Sequence, residues 1–220
     1  VRVNNATVER HMTTYSLDIS IDSTGLEQIR GETISIAKTV TTSLVGGNLA
    51  TAWISFEPAQ HITVTWTEDY YLYASTSEAK GGATIDMTSY TDAAIQSGQL
   101  YTYGTASTFS SAPADTGTAF ETKNFQESPK PWTMGLAQEA TVSGKTTMSA
   151  LNAVRVPYNQ HASFTAIENI SIWVSSIQNN GVVLSQIADT ALPVQLTSQK
   201  SKALLGFDDA LNEFTFTSFG

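Results

Sequence analysis

Alternation of apolar and polar residues with a period of two runs through most of the chain, and it limits the fold more than any other feature. Segments 14–22 (TYSLDISID), 32–40 (ETISIAKTV), 50–56 (ATAWISF), 61–66 (HITVTW), 70–75 (YYLYAS) and 99–104 (QLYTYG) all carry it. Successive side chains of a strand point to opposite faces, so the pattern predicts half-buried strands. Turn-rich pieces such as VGGN and KGGA separate them, which is the cadence of an antiparallel sandwich. Strand-like runs resume after a Ser/Pro/Gly-rich, linker-like stretch, TFSSAPADTGT (108–118). Helical periodicity of useful length is absent; a short helical turn is the most that 201–213 (SKALLGFDDALNE) suggests.

The second half is expected to repeat the first. Residues 33–75 map onto 133–175 without a gap, pairing Thr33 with Thr133, Ala37 with Ala137, Gln60-His61 with Gln160-His161, Glu68 with Glu168 and Ser75 with Ser175. Apolar character is kept where identity is lost, as in Ile34/Ile36 against Met134/Leu136 and Ile54/Phe56 against Val154/Val156. The expected fold is therefore all-β, an antiparallel β-sandwich of two similar halves from a tandem duplication. The expected units are 1–110 and 111–220, either separate or fused into one pseudo-symmetric domain.

A register shared by two copies shows which side of each strand is apolar in both. On that reading Tyr70, Leu72 and Ala74 face the core with Ile170, Ile172 and Val174. Tyr71, Tyr73 and Trp173 then face away, and so does Trp53 between inward Ala52 and Ile54. His61 and His161 fall on the polar side of their strands. Outward aromatics either pack against another part of the protein or form a platform for a ligand. The candidate ligand-binding residues are Trp53, Tyr71, Tyr73, Trp173, His61 and His161.

Composition narrows the function by exclusion. Eleven Lys and Arg against 20 Asp and Glu give a net charge of −9, whose field repels phosphate backbones, so no nucleic-acid partner is expected. With no cysteine there is no disulfide, thiol nucleophile or thiolate metal site. Three histidines without local ligand spacing, and acids grouped as Glu68-Asp69, Asp208-Asp209 and Asp18 with Asp22, give no metal motif. No G-x-S-x-G elbow or phosphate-binding loop occurs. No catalytic residue, metal or cofactor is expected.

Uncharged polar loops with outward rings suit neutral sugars. The expected function is a non-enzymatic, lectin-like carbohydrate-binding protein whose partner is a neutral saccharide or glycoconjugate, with a homo-oligomer compatible. Two other readings remain. Thr/Ser-rich amphipathic runs such as 39–53 are what a pore-forming β protein inserts into a membrane, and a glycan-processing enzyme brings distant carboxylates together by folding. The sequence has no apolar run of membrane-spanning length, and its first residues lack a signal-peptide core. Either a cytoplasmic location or secretion after removal of a leader is expected. The sequons at Asn5 and Asn169 matter only on a secretory route.

Overall fold

The computed structural model describes residues 13–44, 47–126 and 131–220. Asn5, His11 and Val45-Gly46 of the VGGN turn lie outside the described residues. Up to residue 113 the elements are β1 (Thr14–Ser20), the short helix α1 (Ser23–Gln28), β2 (Thr33–Thr42), β3 (Leu49–Ala52), β4 (Ile54–Phe56), β5 (His61–Thr67), β6 (Tyr70–Ser75), β7 (Ser89–Tyr90), β8 (Gln99–Tyr103) and β9 (Phe109–Pro113). There follow β10 (Phe120–Asn124), β11 (Trp132–Val142), β12 (Lys145–Ala150), β13 (Asn152–Val156), β14 (His161–Ser175), β15 (Val182–Val183), β16 (Leu192–Gln195), β17 (Lys202–Asp208) and β18 (Glu213–Phe219).

These strands form two sheets. One runs β15-β3-β13-β11-β5-β1-β17-β18, with β12 and β6 also on β11 and β7 on β6. The other runs β4-β2-β14-β10-β8-β9, with β16 on β14. Their inner faces meet in one main core, to which Leu17, Val64 and Leu136 come from the first sheet and Ile34, Phe164 and Ile172 from the second. The boundary expected near residue 110 does not separate the sheets, because each draws strands from both sides of it.

Three expectations are corrected. The sheets are mixed rather than antiparallel throughout: β1 runs parallel to β17, and β10 parallel to β8. The linker-like stretch supplies β9, which ends at Pro113 on the rim of the second sheet, where serine and a missing N–H are tolerated. Residues 201–213 form β17 and a turn in which Asp208 accepts from the N–H groups of Ala210 and Leu211. Helix occurs instead at α1, where Asp22 caps the Gly25 N–H at 2.8 Å.

Long-range register follows a regular rule. Thr33 pairs with Ser175 and Thr133 with Ser75, Ile36 with Ile172 and Leu136 with Leu72, Thr41 with Thr165 and Thr141 with Thr65. The β2–β14 ladder shifts register between Ile167 and Ile170, and the interval between β5 and β6, Glu68-Asp69, occupies the corresponding place. One difference is that β2 sets Ile34 against Phe56, whereas β11 sets Trp132 against Val156.

At Trp53 the chain changes sheets. β3 pairs with β13 and β15 in the first sheet, and β4 pairs with β2 in the second. Strand-switching residues of this kind make the corners of stacked sheets.

Candidate functional site

Four of the six residues nominated from the sequence are aromatic, and none forms an open platform. Trp53 is 0% exposed and lies in the main core. Alternation read it outward, but a residue at a sheet-to-sheet corner does not keep the parity of the strands beside it. Tyr70, Leu72 and Ala74 lie in the main core, and Tyr71 and Tyr73 turn to the opposite face. That face is covered: Tyr73 is buried among Ile85, Ala137, Ala153 and Val183, with Tyr71 half-buried against them. The Tyr73 hydroxyl donates to the Asn152 carbonyl at 2.6 Å. This close approach needs Gly135 opposite Tyr73, where a Cβ would lie 2.3 Å from that same oxygen. Trp173 is buried with Ala37, Ala52 and Leu184.

The histidines do not converge. His61 begins β5 in the first sheet, with Nδ1 3.4 Å from the Ser20 hydroxyl, and His161 begins β14 in the second, opposite Lys123. Both are exposed. Among the described residues no three His, Asp or Glu side chains gather as a metal would require. Asn169 lies within β14, half-buried, with its side-chain oxygen buried and without a hydrogen-bond partner among the described residues.

An open aromatic site lies elsewhere. A cleft of about 290 Å³ separates residues 89–94 from the β8–β9 hairpin. One wall is tied to β6: Tyr90 pairs with Tyr73, Thr91 N donates to Leu72 O at 3.0 Å and Ile95 N to Tyr70 O at 2.8 Å. Ile95 is itself buried in the main core and anchors this wall. The other wall follows from hairpin register, which sets Tyr101 beside Ser111 and Tyr103 beside Phe109. The Tyr101 hydroxyl accepts from Gln96 N at 2.9 Å, and Phe109 packs on Tyr103 with ring centroids 5.0 Å apart. Tyr101 and Phe109 are thus held from behind, while Tyr90 stands 50% exposed. Asp92, Ser89, Thr91, Thr108 and Ser111 supply polar groups around these rings. The buried Thr91 hydroxyl has no hydrogen-bond partner among the described residues. Such groups are uncommon in folded proteins and need a reason.

A second constellation is buried rather than open. Lys38, 2% exposed, donates to Tyr70 Oη at 2.9 Å, Gln138 Oε1 at 3.0 Å and Glu168 Oε1 at 2.5 Å. Trp66 Nε1 donates to the other Glu168 oxygen at 2.8 Å, and the Tyr70 hydroxyl donates to Glu168 Oε1. The ammonium also lies 4.8 Å from the Tyr70 ring centroid and 5.8 Å from that of Trp53, within cation–π range. Glu168 reaches inward because it sits in the register shift of β14; re-aiming a side chain is what a bulge does. Burial pulls the Lys38 ammonium down to about 8, against the opposing attraction of Glu168. Burial, with the Glu168 charge behind it, pushes the Tyr70 phenol up, so it stays protonated. Every polar group here is satisfied by another, so the centre holds the two sheets together and presents no open valence to a substrate.

Compared with known protein families, curated proteins and solved structures, the chain matches none.

Proposed function

We propose that the protein is a lectin-like, non-enzymatic carbohydrate-binding protein whose saccharide site is the cleft between residues 89–94 and the β8–β9 hairpin. The observation that carries this reading is the composition of that cleft: three aromatic rings, Tyr90, Tyr101 and Phe109, with one carboxylate, Asp92, and several hydroxyls. A pyranose has an apolar C–H face that packs on a ring and an equatorial belt of hydroxyls that needs acceptors and donors. Asp92 accepts from two adjacent hydroxyls, and Ser89, Thr108 and Ser111 line the same cleft. Sites for small ligands commonly combine apolar walls with a few placed polar groups. Glycoside hydrolysis by the usual mechanisms takes a pair of carboxyl groups, and one lines this cleft, which favours binding over cleavage.

The test is a glycan array covering broad sugar classes, followed by titration of the best ligand into Tyr90→Ala and Asp92→Asn. Each variant is expected to weaken binding at least about tenfold, roughly 1.4 kcal/mol. Tyr90 is half exposed, so the melting temperature should barely move. Absence of binding across the array, or full affinity in both variants, removes this reading.

We also infer that the two halves are copies of one unit of about 100 residues that exchange hairpins. The register pairs support this: segments 33–42 with 164–175, and 133–142 with 64–75, meet in the same alignment. The two parallel ladders correspond in strand order though not at the same offset: β1 takes β17 and β10 takes β8. Lys38 and Gln138, 100 positions apart, touch each other, as residues beside a two-fold axis do. An experimental structure in which 33–75 and 133–175 do not superpose by a two-fold rotation would remove the inference.

A further inference from the structure

Arg155 on β13 pairs with Thr133 on β11, and Thr133 pairs with Ser75 on β6. Directly paired residues project to one face of a sheet, so these three side chains share the outer face of the first sheet. There Arg155 and Thr133 border a second cleft of about 380 Å³, lined also by Thr76, Ser77, Glu78 and Lys80. Its loop wall is fixed by internal bonds. Thr133 Oγ1 donates to Ser77 O at 2.5 Å, Ser77 N to Ser75 Oγ at 3.0 Å, and Asp86 N to Ser77 Oγ at 3.0 Å.

Charge in this cleft runs against that of the protein. The chain carries −9 overall, yet among the described residues two cations face one carboxylate here. Arg155 is exposed and makes no ion pair among the described residues. Lys80 pairs with Glu78, and both side chains are about 70% exposed. A pair that open contributes little, so Lys80 is readily recruited by another anion. Lys80, and more weakly Arg155, hold the Glu78 carboxyl below the usual carboxylate range; the field of both cations therefore reaches the cleft.

We propose that this cleft binds a small oxyanion, a carboxylate or a phosphate, with the Arg155 guanidinium as its bidentate anchor and Lys80 as the second charge. The planar guanidinium fork matches two oxygens of either group, which an ammonium alone does not. The Thr76 hydroxyl, on the cleft wall, completes the polar contacts. This site is distinct from the aromatic cleft and stands or falls without the saccharide reading.

The probes are inorganic phosphate and glucuronate, with glucose as the neutral control, titrated at constant ionic strength and followed by backbone amide shifts. Saturable binding of at least one anion is expected, with the shifts centred on residues 76–80, 133 and 155. Arg155→Met should weaken it at least tenfold and Lys80→Met by a smaller factor, while Arg30→Met, which removes an exposed arginine elsewhere, leaves it unchanged. Tighter phosphate binding identifies a phosphate ligand; tighter glucuronate binding identifies an acidic sugar. Absence of saturable binding by either anion overturns the proposal, as does full affinity in both cleft variants or an equal loss in Arg30→Met. Thermal melts of each variant show whether the fold is kept. If Arg155→Met fails to fold, Lys80→Met, on the exposed loop, decides the outcome.

Discussion

Glu168→Ala is expected to lower the free energy of unfolding by about 3–5 kcal/mol, the cost usual for breaking a buried ion pair by removing one partner. The reason is how many groups depend on one carboxylate. Lys38, Tyr70 and Trp66 all donate to it, and in the variant an ammonium of 2% exposure keeps only the Tyr70 oxygen and Gln138 Oε1. Tyr70 and Trp66 lose their acceptor at the same time, and each unpaired buried donor adds its own desolvation cost. Urea unfolding measures the loss as a lower midpoint at unchanged slope. Adding Lys38→Met should recover part of it, because the uncompensated charge is then gone. A loss below about 1 kcal/mol, the range of an exposed pair, would mean that solvent reaches Lys38 and that the centre does not hold the sheets.

Trp53→Ala is expected to cost about 3–5 kcal/mol as well, the range for truncating a buried tryptophan. Its ring fills the corner where the chain passes from β3 to β4, stands edge-on to Trp66 at 5.6 Å, and donates Nε1–H to Gln138 O at 3.1 Å. Truncation leaves a cavity beside Lys38 and removes the bond to Gln138 O. This result separates two accounts of Trp53: a ligand-contacting residue would lose affinity with the fold intact, whereas the corner residue loses stability. Chemical unfolding followed by circular dichroism reads the difference, and a midpoint within experimental error of wild type would restore the surface account. Trp53 and Glu168 touch the same lysine, so their losses should not add.

Much of the fold was legible because β alternation is a local property. The strands at 14–20, 33–42, 61–67 and 70–75 follow from it directly. Lys38 was legible too and went unread: it shares a strand face with Ile34, Ile36 and Val40, all buried, and a lysine in that register needs an internal partner. Trp53 failed for a different reason, since parity counting assumes one continuous strand and the corner interrupts it. The parallel pairs β1–β17 and β8–β10 leave no local trace, because neither strand's composition depends on which neighbour it takes. The aromatic cleft was hidden for the same reason. Tyr90 follows β6 through β7, whereas Tyr101 and Phe109 belong to a hairpin of the other sheet, and only packing sets them face to face.

The two hairpins that dock in parallel on another strand differ in when they can do so. β8–β9 docks on β10, the next strand in the chain, so this contact is available as soon as residues 99–124 have been made. β17–β18 docks on β1, which lies most of the chain's length away. Closing so long a loop is slow and entropically costly. Until it closes, the β1 edge that receives β17 remains open to any other strand, including one from a second nascent copy. The most aggregation-prone moment of this protein's life is therefore the wait for residues 202–208, and crowding of ribosomes on one message would lengthen the list of wrong partners.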